Sequence, residues 1–396
     1  MTHAKNSIEG IELFDISTLN HGAKGFSGAA FDGRYIYLAP LNNGNFFGEV
    51  PRFDTTLPFD SKDAWTFFDT TQIDPESRGF VDAKYDGRYI YFIPFCNGEH
   101  HGHVTRYDTT QPFNIADSWK VFDTTTIHQD CRGFISGCFD GQYLYMAPYQ
   151  LDFTTTHGRT IRYNTQKSFG DASSWETFDL TAVNPNNVGF HSAAHDGQFI
   201  YMIPYLLKGK QYNGNLARYN TKENFNDPNS WESVDLTLFN GRARGFVGAV
   251  HHGEFLYVVP YFDGNDRYGQ VARYHTNSDL SDPNAWEWFD SAHINPGSRG
   301  FFGALSDERY IYFIPHCRGI GAYHGQMTRY DTKGEFGNPK NWAVCDTALA
   351  HPDCRGFMGG VIHNGYLYMP PFEVDAGEHS GLMVRLHLAT ESLWIS

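Results

Sequence analysis

The sequence predicts an all-β fold, a seven-bladed β-propeller, and three observations carry that prediction. The pattern Gly-Phe, some eight residues, then an aromatic-rich strand ending in Pro occurs seven times, starting at Gly25, Gly79, Gly133, Gly189, Gly245, Gly300 and Gly356. The separations are 54, 54, 56, 56, 55 and 56 residues, and a fixed period of this length marks a repeat architecture. Each repeat reads as four short antiparallel strands, the content of a propeller blade. The last repeat is one strand short, and the missing strand stands at the other end of the chain.

The second repeat shows the elements in order. Gly79 to Tyr85 is a first strand. Asp86-Gly87 is a hairpin turn, because both residue types tolerate positive φ. Tyr89 to Ile93 is a second strand closed by Pro94. A polar loop, Cys96 to Gly102, leads to a third strand, Val104 to Tyr107, and Trp119 to Asp123 is the fourth. In the seventh repeat the chain runs out after a third strand, Met383 to His387. The segment 11–16 matches the Phe-Asp ends of the other fourth strands, so it is expected to complete that blade and protect its edge. Residues 1–396 are therefore read as one propeller domain.

Composition agrees. Apolar residues are 41% of the 396 and aromatics 16%, enough for a large core, while charged residues are only 19%. The formal charge of −15 argues against nucleic acid and anionic membrane as partners. No apolar run approaches the roughly 18–20 residues that span a bilayer. Met1 to Gly10 has no apolar signal-peptide core. A cytoplasmic monomer is the expectation, with mostly reduced cysteines.

Asp86-Gly87 before a Tyr-rich strand, Arg106-Tyr107-Asp108 on the third strand and Trp119 opening the fourth resemble the repeats of kelch-like propellers. The resemblance covers the whole chain. Where kelch repeats carry a Gly-Gly pair, this chain has Pro40, Pro94, Pro148, Pro204, Pro260, Pro315 and Pro370. The resemblance implies a fold and no particular reaction.

Residues present in every repeat are assigned to structure. Arg52, Arg106, Arg162, Arg218, Arg273, Arg329 and Arg385 stand in register, as do Asp15, Asp69, Asp123, Asp179, Asp235, Asp290 and Asp346. Charges in register predict one repeated ion pair or hydrogen-bonded brace. The Pro residues end second strands, and Trp65, Trp119, Trp175, Trp231, Trp286 and Trp342 pack the blades.

Residues that vary between repeats are the functional candidates, on the face carrying the fourth-to-first and second-to-third connections. Lys24, Arg78, Arg132, Arg244, Arg299 and Arg355 precede the repeat glycine, and Val188 breaks the ring. Converging guanidinium groups suit carboxylate, phosphate or sulfate. The alternative is that each Arg caps a loop or pairs with a carboxylate such as Glu76, Asp130 or Asp353. The second-to-third loops carry His101, His157, His324, Tyr212, Tyr268 and His379, candidates for proton transfer. Polar aromatics lining a rim would look the same. Finally, Cys96, His128 and Cys131 are repeated as Cys317, His351 and Cys354, with His101 and His324 nearby in sequence. Free thiols, two disulfides (Cys96–Cys131 and Cys317–Cys354) or a tetrahedral zinc all fit.

No Gly-rich phosphate loop, Gly-x-Ser-x-Gly elbow, His-Glu-x-x-His motif or sialidase-type Asp box is present. Two functional readings remain. One is an enzyme that binds a small anionic substrate at the axial channel mouth through the Arg ring, with His or Tyr moving a proton, in lyase, hydrolase or alkyl-transfer chemistry. The other is a non-catalytic module that binds carbohydrate or protein.

Overall fold

The computed structural model describes residues 8–209 and 211–395. Seven four-stranded antiparallel sheets are arranged in a ring. Blade one comprises Phe26–Phe31, Tyr35–Pro40, Glu49–Asp54 and Trp65–Asp69. Blades two to six repeat that order, and the first strands of neighbouring blades touch all round the axis. Blade seven joins Val361–His363, Tyr366–Met369 and Leu382–His387 to the N-terminal strand Ile11–Asp15, with Glu12 opposite Arg385. The expected closure is thus present. Ile16 already belongs to the 3₁₀ turn that follows. Residues 1–7 of the N-terminal stretch considered above lie outside the described residues.

The repeat glycine has a backbone cause. All seven have φ between 62° and 75°, a region that side chains rarely enter. A Cβ there would also stand 1.7–1.9 Å from the carbonyl oxygen of the second-to-third loop in the same blade, for instance Gln150 above Gly133. The Asp-Gly turn is explained by its Asp: Asp86 Oδ1 accepts from the Arg88 and Tyr89 amides, and Oδ2 accepts from the Tyr91 hydroxyl.

The seven Arg and seven Asp do not pair with each other, contrary to the sequence expectation. Each Asp ends a fourth strand and caps the next turn, as when Asp235 Oδ1 accepts from the Thr237 amide at 2.9 Å. Each Arg lies on the third strand; in blades one to six the antiparallel register sets it opposite a residue 14 further on, Glu232 for Arg218, and in blade seven it sets Arg385 opposite Glu12. Arg162, Arg218, Arg273 and Arg385 meet Glu176, Glu232, Glu287 and Glu12 in this way at 2.5–2.7 Å. The brace runs between blades. The seven guanidinium groups lie 4.0–4.6 Å over the ring opening their own second strand. Six also lie 4.3–4.7 Å from a ring of a neighbouring blade or segment, Phe225 for Arg162. Arg218 instead donates to the Tyr274 hydroxyl of the next blade at 2.8 Å. The fourth-strand Trp residues also join blades: Phe68 stacks on Trp119 at 4.7 Å and Phe289 on Trp342 at 4.5 Å.

In blades one to six the first strand carries a bulge just after the Gly-Phe pair, between Phe80 and Asp82 in blade two. An extra residue breaks the alternation of faces there, so two successive side chains, such as Val81 and Asp82, both line the axial cavity.

Candidate functional site

On the face where each first strand begins, aromatic side chains ring the axis. The residue after each repeat Pro forms a collar: Phe95, Tyr149, Tyr205, Tyr261 and His316, then Phe372 in blade seven, where Pro371 and not the expected Pro370 holds the register. Successive ring centroids are 5.8–6.3 Å apart. Leu41 of blade one joins Phe95 and Phe372 in one apolar cluster. Against the collar, His191 of blade four and Phe302 of blade six approach to 4.9 Å, past blade five. Sequence reasoning passed over the collar, although its signal was an aromatic or His directly after a repeated Pro. This mouth is therefore ringed by aromatic side chains. The hydroxyls of Tyr149, Tyr205 and Tyr261 make no hydrogen bond to another described residue.

The cations before the glycines sit at blade junctions, against the second-to-third loop of the preceding blade. Arg299 donates to Asp266 at 3.0 Å, and Arg244 donates to the Gly241 carbonyl at 2.8 Å. The guanidinium groups of Arg78, Arg132 and Arg355 have no hydrogen-bond or ion-pair partner among the described residues, although the Nε of each is shielded from solvent. The carboxylates considered as their partners are engaged elsewhere. Glu76 accepts from Asn97 at 2.8 Å, and Asp130 and Asp353 face His128 and His351 at 3.8 Å. Lys24 lies near His379, whose proton affinity it lowers, although burial is the larger cause. A further cation, Arg267, stacks 3.8 Å over Tyr261 and 4.8 Å over Phe262. It lies outside the pre-glycine register, which is why the repeat comparison did not find it.

The His and Tyr candidates separate into two groups. His101, His157, Tyr268 and His324 share one loop position with Asn213. The backbone there ties blades together, as when the Gly133 amide donates to the His101 carbonyl. The side chains turn back toward the carbonyl before the glycine. Tyr268 donates to the Arg244 carbonyl at 2.6 Å and Asn213 to the Val188 carbonyl at 2.9 Å. The His101, His157 and His324 rings lie against the carbonyls of Arg78, Arg132 and Arg299. Burial pushes all three imidazoles down to about 3, so they are neutral at pH 7 and poor proton acceptors. Tyr212 and Arg244 do come together, with Asp263, along a surface groove of about 340 Å³. His379 packs edge-on against Phe372 at 5.7 Å. Tyr323 donates to Glu373.

The Cys/His residues do not converge. All six cysteines are unpaired and buried, so the disulfide alternative is not realised. Among the described residues no three His, Cys, Asp or Glu side chains lie close enough to share a metal ion. The thiol of Cys131 turns to Thr177 Oγ1 at 3.4 Å, whereas His128 sits near the surface beside Asp130. Burial pushes the Cys131 thiol up to about 11 and that of Cys354 to about 12.

No family model and no curated protein matches the chain. Among solved structures, the crystal structure of the computationally designed Ika8 protein aligns over 92% of this chain and 96% of its own, at 7% identity and a TM-score of 0.48. Among the described residues no helix is long and apolar enough to cross a membrane.

Proposed function

We propose that this propeller is a binding module for a small anionic ligand of the carboxylate or phosphate class, held at the aromatic collar. The observation that carries the reading is that Arg78, Arg132 and Arg355 have no partner among the described residues, beside the paired Arg244 and Arg299. A guanidinium whose terminal nitrogens have no partner among the described residues is free to take a bidentate oxyanion. The tilted rings of Tyr149 and Tyr205 in the collar offer apolar surface, with hydroxyls for orientation.

Binding without turnover is favoured over the enzyme reading by the state of the imidazoles. A general base works best with a pKa near the working pH, and His101, His157 and His324 are held near 3. Calorimetric titration of the whole protein with citrate, glucuronate and inorganic phosphate tests the proposal. At least one is expected to bind, more weakly at high salt. The R78Q/R132Q/R355Q variant is expected to lose at least about tenfold in affinity, since each charged hydrogen bond contributes roughly 1.5–3 kcal/mol. Equal binding by both proteins would refute it.

A further inference from the structure

We propose a second, independent site inside the axial channel: a subsite for a small zwitterion of the α-amino acid class, built on Asp82 and Lys84. The cavity below the collar has a volume of about 170 Å³ and is walled mostly by Gly, Ala and Ser. That is room for several waters or one small solute. Asp82 and Lys84 are the only charged side chains on its wall among the described residues. Lys84 Nζ is 2.8 Å from Asp82 Oδ2, and the Ser136 hydroxyl donates to the same oxygen at 2.7 Å. The Ala83 amide donates to Asp82 Oδ1 at 2.8 Å. Gly28 of blade one keeps the wall beside Asp82 thin; a Cβ there would stand 3.0 Å from Asp82 Oδ1.

Comparison of the seven blades argues that the fold does not require this pair. At the Asp82 position the other six blades carry Gly or Ser, and at the Lys84 position Ala, Cys, Val or Leu. Those blades close the same ring without charges. Half-buried charges are costly to keep, so their presence in one blade alone points to a ligand.

The pair also selects the ligand. A simple anion near Lys84 meets the Asp82 carboxylate within 3 Å of its partner, and a simple cation meets the reverse. A molecule with both charges sets its ammonium against Asp82 and its carboxylate against Lys84, and every neighbour is then of opposite sign. The Ser192 hydroxyl lines the same cavity and bonds to no other described residue, leaving it free for the ligand. Small walls and small volume favour glycine, alanine or serine over larger side chains.

The test is calorimetric titration of the whole protein with glycine, L-alanine and L-serine, and with acetate and methylammonium as single-charge probes. The D82S/K84A variant gives blade two residues that sister blades already carry, and its thermal unfolding midpoint shows that it folds. At least one zwitterion is expected to bind the parent at least tenfold more tightly than either single-charge probe. D82S/K84A is expected to abolish that binding, and R78Q/R132Q/R355Q to leave it unchanged. No binding of any of the three zwitterions, equal binding by acetate, or equal binding by D82S/K84A would overturn the proposal.

Discussion

Two sets of arginines occupy this ring, and the chain treats them oppositely. The third-strand set is clamped. Arg218 has a side chain 6% exposed, lies 4.2 Å over Phe199, and bonds to Glu232 and the Tyr274 hydroxyl. The set before the glycines is set against loops, and three of its members have no partner at all among the described residues. Both sets look alike as a repeated basic residue. They differ in what the backbone register places opposite each one, and that difference separates a structural charge from a candidate binding charge.

The comparison can be broken first on the clamped side. Arg218→Ala removes a stacked, buried side chain and leaves Glu232 and Tyr274 without their partner. A loss of about 2–4 kcal/mol is expected in denaturant unfolding. A loss below about 1 kcal/mol would mean that the clamp is decoration. Asp235→Ala, which removes only the turn cap, is expected to cost about 1 kcal/mol by the same measurement.

The buried imidazoles sharpen the contrast through pH. His101, His157 and His324 are held near 3 in the fold, against about 6.5 in an unfolded chain. Between those values the unfolded state binds more protons. Their contribution to stability is therefore complete above about pH 6.5 and is lost as pH falls toward 3. His157→Asn, which borrows the residue of blade four, is expected to fold and to make the acid limb of the stability curve shallower. An unchanged limb would show that His157 is not neutral in the fold.

The smallest stability effect belongs to the unpartnered set. R78Q/R132Q/R355Q is expected to change stability by no more than about 0.5 kcal/mol, as for surface positions with no partner to lose. A large loss would place these arginines with the clamped set.

Most of the architecture was legible because a seven-fold repeat prints the same constraint seven times. The Gly before each Phe, the Asp-Gly turns and the orphan strand at 11–16 could be read directly. The Arg–Asp pairing was misread, because equal copy number does not say which residues face each other. Only the 14-residue offset of the antiparallel register does, and it chose Glu232 over Asp235 for Arg218. The aromatic collar was missed for a related reason. Tyr149, Tyr205 and Tyr261 lie well apart in sequence, and only ring closure places them side by side. The Cys and His residues that seemed to form a ligand set alternate between buried and surface positions. Their closeness along the chain is not closeness in space.

The most direct test of the central claim is the affinity of the whole protein for citrate, glucuronate and inorganic phosphate, measured by calorimetry beside R78Q/R132Q/R355Q. The account predicts that one of these anions binds and that the variant binds it at least about tenfold more weakly while unfolding at the same denaturant midpoint. Binding that is identical in the two proteins, or absent from both, would contradict it.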